Sequence, residues 1–217
     1  MKCILFIVFF MAGFLSVSAQ AYNEWIDKSF ECIESEDWTG AEKALIGALR
    51  VQPANPQNAL LLSNLGTIQR KMGKNDEALK SYTNALMITP RSVTLLMNRA
   101  ALFSEMEKFD DALKDYNQVL MLDDKEEDAL YLRGLIRLEK NDTTACRKDF
   151  EQLLKINPKS SDARIGLAAL MKLRGYYTEA IDLYTQVIRV NPEQTSLYLN
   201  RGEAYLLNRR LNKADED

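Results

Sequence analysis

Lys74–Pro90 reads KNDEALKSYTNALMITP, and the spacing of four of its residues decides the fold. Ala78, Tyr82 and Ala85 are separated by helical steps, so their side chains share one face. Pro90 then ends the element, because it lacks an N–H and disfavours helix in the residue before it. The same frame gives Ala41, Leu45, Ala48 and Pro53 upstream. Downstream it gives Ala112, Tyr116, Val119 and Asp124, then Cys146, Phe150, Leu153 and Pro158, then Ala180, Tyr184, Val187 and Pro192. Ala214 opens one more set. The first members of these sets are 37, 34, 34, 34 and 34 residues apart, so the chain is built of repeats.

A second helical run precedes each set. It carries Trp25 and Ser29 in the first repeat, Leu62, Leu65 and Gly66 in the second, and Leu96, Ala100 and Phe103 in the third. Leu130 and Gly134, then Leu167, Ala168 and Met171, then Tyr198, Gly202 and Tyr205 follow. Each unit is therefore a helix A, a short turn, a helix B and a second turn. Small residues pair between the two helices: Ser29/Ala41, Gly66/Ala78, Ala100/Ala112, Gly134/Cys146, Ala168/Ala180 and Gly202/Ala214. Close antiparallel approach needs such pairs, with the aromatic at Tyr82, Tyr116, Phe150 or Tyr184 filling the space beyond. Gly73 and Gly175 sit where a left-handed helix end is expected. Thr39-Gly40-Ala41-Glu42 predicts a capping box, and Thr178 a cap of the fifth helix B.

The composition fits a folded chain: 47% hydrophobic and 27% charged over 217 residues. Lys and Arg total 28 against 31 Asp and Glu with no basic run, which argues against nucleic acid. The absence of His removes the commonest general base and metal ligand. No phosphate loop, nucleophile–base pair or metal cluster is visible, so no enzyme, cofactor or metal is expected.

Residues 1–19 read as a secretory signal: Lys2, an apolar run Ile4–Leu15, then the small residues Ser16-Val17-Ser18-Ala19. Cleavage is expected after Ala19 or after Ala21, with no membrane span in the mature chain. Cys32 and Cys146 lie three repeats apart, where stacked helices roughly 8–10 Å from their neighbours exceed a disulfide's reach of about 7 Å. Two buried free thiols are expected.

The period and pattern resemble the tetratricopeptide repeat (TPR) over residues 22–217, as repeats 22–55, 59–92, 93–126, 127–160, 161–194 and a partial 195–217. The resemblance implies an all-α, right-handed superhelical solenoid of antiparallel helix pairs, five full repeats plus a truncated sixth. It also implies a protein-binding module. Three residues are inserted around Asn55–Asn58, and Asp124 replaces the turn proline of the third repeat.

Where helix A carries Arg99, Arg133 or Arg201, helix B of the same repeat carries Asp115, Asp149 or Asp217. Arg99–Asp115 and Arg133–Asp149 are predicted ion pairs that fix register more than they stabilise. The family resemblance places the concave groove on the A helices. The partner-binding candidates there are Asn64, Thr67, Arg70, Lys71, Met97, Asn98, Ala101, Tyr131, Leu135 and Asn200. Asn64, Asn98 and Asn200 share one frame position and suit an extended peptide, since an amide both donates and accepts. This looks like the asparagine ladder of some peptide-binding TPRs, broken at Leu132 and Gly166. Asp128 and Leu132 stand where a dicarboxylate clamp needs basic residues, so no clamp is expected.

The expectation is a non-catalytic scaffold binding a peptide or helix of a partner protein, exported to the periplasm or secreted in a Gram-negative bacterium. The alternative is a structural module of a larger cell-envelope assembly, associating or self-associating through its uncapped C-terminal end. Asn141-Asp142-Thr143-Thr144, a turn with a glycosylation sequon, and the acidic cluster Asp123 to Asp128 read as a capped turn and a solvated helix start.

Overall fold

The computed structural model describes residues 2–209, with side chains from residue 17 onward. Among the described residues there are eleven helices and no strand. They are α1 (Lys2–Glu34), α2 (Trp38–Val51), α3 (Asn58–Lys71), α4 (Asn75–Ile88), α5 (Val93–Glu105), α6 (Phe109–Leu122), α7 (Glu127–Glu139), α8 (Thr143–Ile156), α9 (Ser161–Leu173), α10 (Tyr177–Val190) and α11 (Thr195–Leu207). Odd-numbered helices are the A elements, and the even ones carry the buried face that defines the frame. α1 runs without a break through Ala19, the expected cleavage point. Tyr22 is the first buried residue of the chain's described side chains. Among the described residues, no helix is long and apolar enough to cross a membrane.

The chain forms two compact units, residues 1–108 and 109–217. In the first, α1 packs on α2, α2 on α3, α3 on α4 and α4 on α5. In the second, α6 packs on α7, α7 on α8, α8 on α9, α9 on α10 and α10 on α11. The helix B faces that define the frame are buried in both. Ala41, Leu45, Ala48, Ala78, Tyr82 and Ala85 are fully enclosed, as are Cys146, Phe150, Ala180 and Tyr184.

The glycines of helix A lie directly against the aromatic of helix B. A Cβ on Gly66 would stand 2.8 Å from the Tyr82 ring, and one on Gly134 would stand 2.5 Å from the Phe150 ring. The glycine of helix A therefore accepts the aromatic ring of helix B directly. Gly166 on α9 receives the same Phe150 ring, since a Cβ there would also stand 2.5 Å from it.

Among the described residues, the turn after each A helix carries one left-handed residue at the same frame place. Gly73 (φ +74°) and Gly175 (φ +80°) behave as expected, and Glu36, Glu107, Asn141 and Arg209 adopt φ of 57–60°. The caps differ from expectation. Asp37 caps α2 by accepting from the Gly40 N–H, two residues before Thr39, the expected cap, which lies inside the helix. α10 starts at Tyr177 after Tyr176, with no side-chain cap, and Thr178 instead accepts from the Asn208 amide. Asp142 caps α8 through the Ala145 N–H, so the Asn141–Thr144 turn is a capped helix start.

The insertion between the first two repeats is closed by a buried latch. Asn58 accepts from the Tyr22 hydroxyl at 2.9 Å and donates to the carbonyls of Gln52 (2.7 Å) and Pro53 (3.2 Å). Cys32 and Cys146 are free thiols, but Cys32 is half-buried where full burial was expected.

Candidate functional site

In the first unit, the A helices present two half-buried amides at one frame position, Asn64 on α3 and Asn98 on α5. These helices touch one another. Neither amide has a hydrogen-bond partner among the described residues. Both remain open to solvent, so each has donor and acceptor capacity left for a ligand.

Beside Asn64 lies a recess of about 290 Å³ lined by Phe30 and Ile33 of α1, Trp38 at the start of α2, and Asn64, Thr67, Ile68 and Lys71 of α3. Phe30 is 49% exposed, an open aromatic face within the recess. Extending the repeat frame one unit upstream puts Phe30 and Ile33 at groove positions. That extension is the signal by which they are legible, and the candidate set began one repeat too late to include them. Trp38 carries no such signal, since it belongs to the turn and first residue of a B helix.

The groove cations divide. Arg70 is engaged by Glu105 through two hydrogen bonds, one from Nε at 2.7 Å and one from Nη2. Glu105 thus raises the arginine's pKa above its ordinary value against the opposing effect of burial. Arg70 therefore braces α3 against α5 and is not a free cation. Lys71 has no carboxylate partner among the described residues, and its ammonium lies 4.3 Å from the Trp38 ring centroid. Thr67 is exposed, donates to the Ser63 carbonyl and lies 3.0 Å from the Tyr82 hydroxyl. Met97 and Ala101 are half-buried on α5.

In the second unit the candidates turn inward. Tyr131 lies 6.3 Å from Phe150, ring to ring, at a tilt of 50°. Burial raises its hydroxyl pKa, and the Asp162 carboxylate adds to this. Leu135 packs on the Cys146–Phe150–Leu170 cluster. Both support the core more than they offer a surface. Asn200 is also spent: its amide donates to the Ser196 carbonyl at 2.8 Å and accepts from Lys172 at 3.4 Å. It does not extend the ladder. A depression of about 590 Å³ lies further along these A helices, lined by Leu138, Ala169, Leu173 and Leu207 with Glu139, Asn141, Lys172 and Glu203.

Arg133 meets Asp149 through two hydrogen bonds, Nε to Oδ2 at 3.1 Å and Nη2 to Oδ1 at 2.6 Å. Arg137 adds a third at 2.6 Å, and Arg133 also donates to Asn117. Asp149 is only 2% exposed, and Arg137 is the partner that sequence pairing missed. In the first unit, Arg99 donates to Thr83 at 3.4 Å and lies over the Phe103 ring. Asp115 belongs to the second unit, where it is buried. Arg201 donates to Thr185, while its expected partner Asp217 and the small residue Ala214 lie outside the described residues.

Family models described as tetratricopeptide repeat match residues 61–94, 128–160 and 169–214. The crystal structure of a tetratricopeptide repeat protein from Parabacteroides merdae is 40% identical, with a TM-score of 0.86, and the match covers 91% of this chain and 77% of that one. The chain belongs to the tetratricopeptide-repeat family. YrrB, a TPR protein with an unusual peptide-binding site, shares the fold at 18% identity and a TM-score of 0.61, covering 81% of this chain and 89% of its own. The first TPR of Spaghetti, bound to an HSP90 peptide, is 29% identical with a TM-score of 0.51, covering 55% of this chain and 94% of its own. No curated protein matches by sequence.

Proposed function

We propose that this protein is a non-catalytic scaffold that holds a peptide or helix of a partner protein against the A helices of its first unit. The observation that carries this reading is the pair Asn64 and Asn98, two half-buried amides without partners among the described residues, the first of which lines an open apolar recess. Both amides reach solvent, so each can exchange water for an incoming backbone, a net gain of roughly 0.5–1.5 kcal/mol per hydrogen bond. Membership of a family of interaction modules supports the reading, as does the peptide bound by the Spaghetti TPR. The signal-like segment 1–19 supports export to the periplasm or the cell exterior. N-terminal sequencing of exported protein should find a chain beginning at Gln20 or Tyr22.

The test is crosslinked capture of the partner from the envelope fraction by wild type and by the N64A/N98A double variant. Capture should fall at least about tenfold, from the loss of two amide contacts each worth about 1 kcal/mol. Equal capture by both proteins overturns the reading.

A further inference from the structure

The recess between α1 and α3 is apolar on its walls and carries a single charge at its rim. Phe30, Ile33, Trp38 and Ile68 supply the walls, Asn64 and Thr67 the polar edge, and Lys71 the charge; no acidic residue lines it. Its volume of about 290 Å³ falls below that of ordinary cofactor and small-molecule sites, roughly 300–1,000 Å³. That leaves room for one large side chain or two modest ones. Other cations near these helix ends carry their own acids: Arg70 holds Glu105, and Lys74 holds Glu42. Lys71 alone of the three has none among the described residues. Its ammonium rests over Trp38 at 4.3 Å, which fixes its place at the rim while only partly compensating its charge.

The geometry points to a specific partner chemistry: an internal segment with an aromatic or large aliphatic anchor and an aspartate or glutamate beside it. The anchor enters between Phe30 and Ile68, and the neighbouring carboxylate meets Lys71. The carboxylate is a side chain and not a chain terminus. Capture of a terminus relies on converging backbone N–H groups. Lys71 is the last residue of α3, where the backbone presents carbonyls and a partial negative charge. A side-chain carboxylate on its own stem reaches the ammonium while its backbone stays at the Asn64 amide.

This inference rests on the groove reading above, and one experiment separates the two. Random octapeptides displayed between flanking sequences, so that no peptide end is free, are selected on wild-type protein. Winners are then re-measured on K71A, K71E, F30A and N64A/N98A. Wild type should enrich Phe, Trp or Leu within two residues of Asp or Glu. K71A should weaken the winners about fivefold, and K71E by more than about tenfold, as loss and reversal of one charge contact imply. F30A should weaken all of them. Because Lys71 and Phe30 are exposed, the variants should melt with wild type. If N64A/N98A loses the winners but K71E keeps them, or if the winners carry no acid, the charge assignment falls and the groove stands. If wild type enriches nothing, or N64A/N98A keeps every winner, both fall.

Discussion

The ring of Phe150 occupies the space that a side chain on Gly166 would need: a Cβ there would stand 2.5 Å from both Cε1 and Cζ. The same ring fills the space that a side chain on Gly134 would need, where a Cβ would also stand 2.5 Å from Cε1. One aromatic thereby fixes how closely α7 and α9 approach α8.

The substitution G166A should therefore destabilise the protein despite alanine's better helix propensity. The propensity gain is about 1 kcal/mol, while overpacking a filled core costs about 1–3 kcal/mol. We expect a net loss of up to about 2 kcal/mol in urea unfolding. The double variant G166A/F150L, which shortens the obstructing side chain, should recover part of it relative to the sum of the two single changes.

Asp149 holds two guanidiniums while nearly sealed from solvent. Removing its charge in D149N leaves Arg133 and Arg137 facing one another without a counter-ion. Breaking a buried pair in this way costs about 3–5 kcal/mol, most of it the unpaired charge. The triple change R133L/R137L/D149L should be far less damaging than D149N if desolvation dominates. Chemical denaturation of the two variants decides this.

The Tyr22–Asn58 latch predicts that N58A costs about 2–3 kcal/mol. It removes three hydrogen bonds and leaves a buried tyrosine hydroxyl and two loop carbonyls to find water. Hydrogen exchange should then speed up at residues 52–57 more than at α4.

Tyr184 makes stability fall in alkali. Burial, with smaller contributions from the Glu203 carboxylate and Tyr131, pushes its pKa up to about 12 from 10. The native state then keeps a proton that the unfolded chain loses, so the contribution is complete below pH 10 and lost as pH rises through 12. Its size is roughly 2–3 kcal/mol from a shift of that order. The variant Y184F should show a flatter decline between pH 10 and 12 in denaturant titrations.

Cys32 and Cys146 should differ in reactivity. Cys146 is fully enclosed and its pKa is raised by burial, whereas Cys32 is half-buried. A thiol reagent should label Cys32 of the native protein at once and Cys146 only at the rate of unfolding. Equal rates at both would show that the second unit opens readily.

The repeat length, the helix pairs and the buried faces were legible from residues such as Ala78, Tyr82 and Ala85, because helical periodicity and Pro-terminated turns are local properties of the chain. Gly73 and Gly175 were legible for the same reason, since left-handed φ is a backbone preference. Caps were less so: Asp37 and Thr39 are both good cap residues, and only the path of the chain into α2 chooses between them.

The ligand surface was decided by tertiary packing. Arg70 and Lys71 are adjacent and alike in sequence, yet one is spent on Glu105, thirty-five residues away, and the other is left over Trp38. Asn98 and Asn200 share a frame position, yet only the second is bound within its own unit. A sequence fixes which groups a helix face presents. Whether a neighbouring helix brings a partner within hydrogen-bond reach depends on side-chain geometry across the interface, which periodicity does not encode.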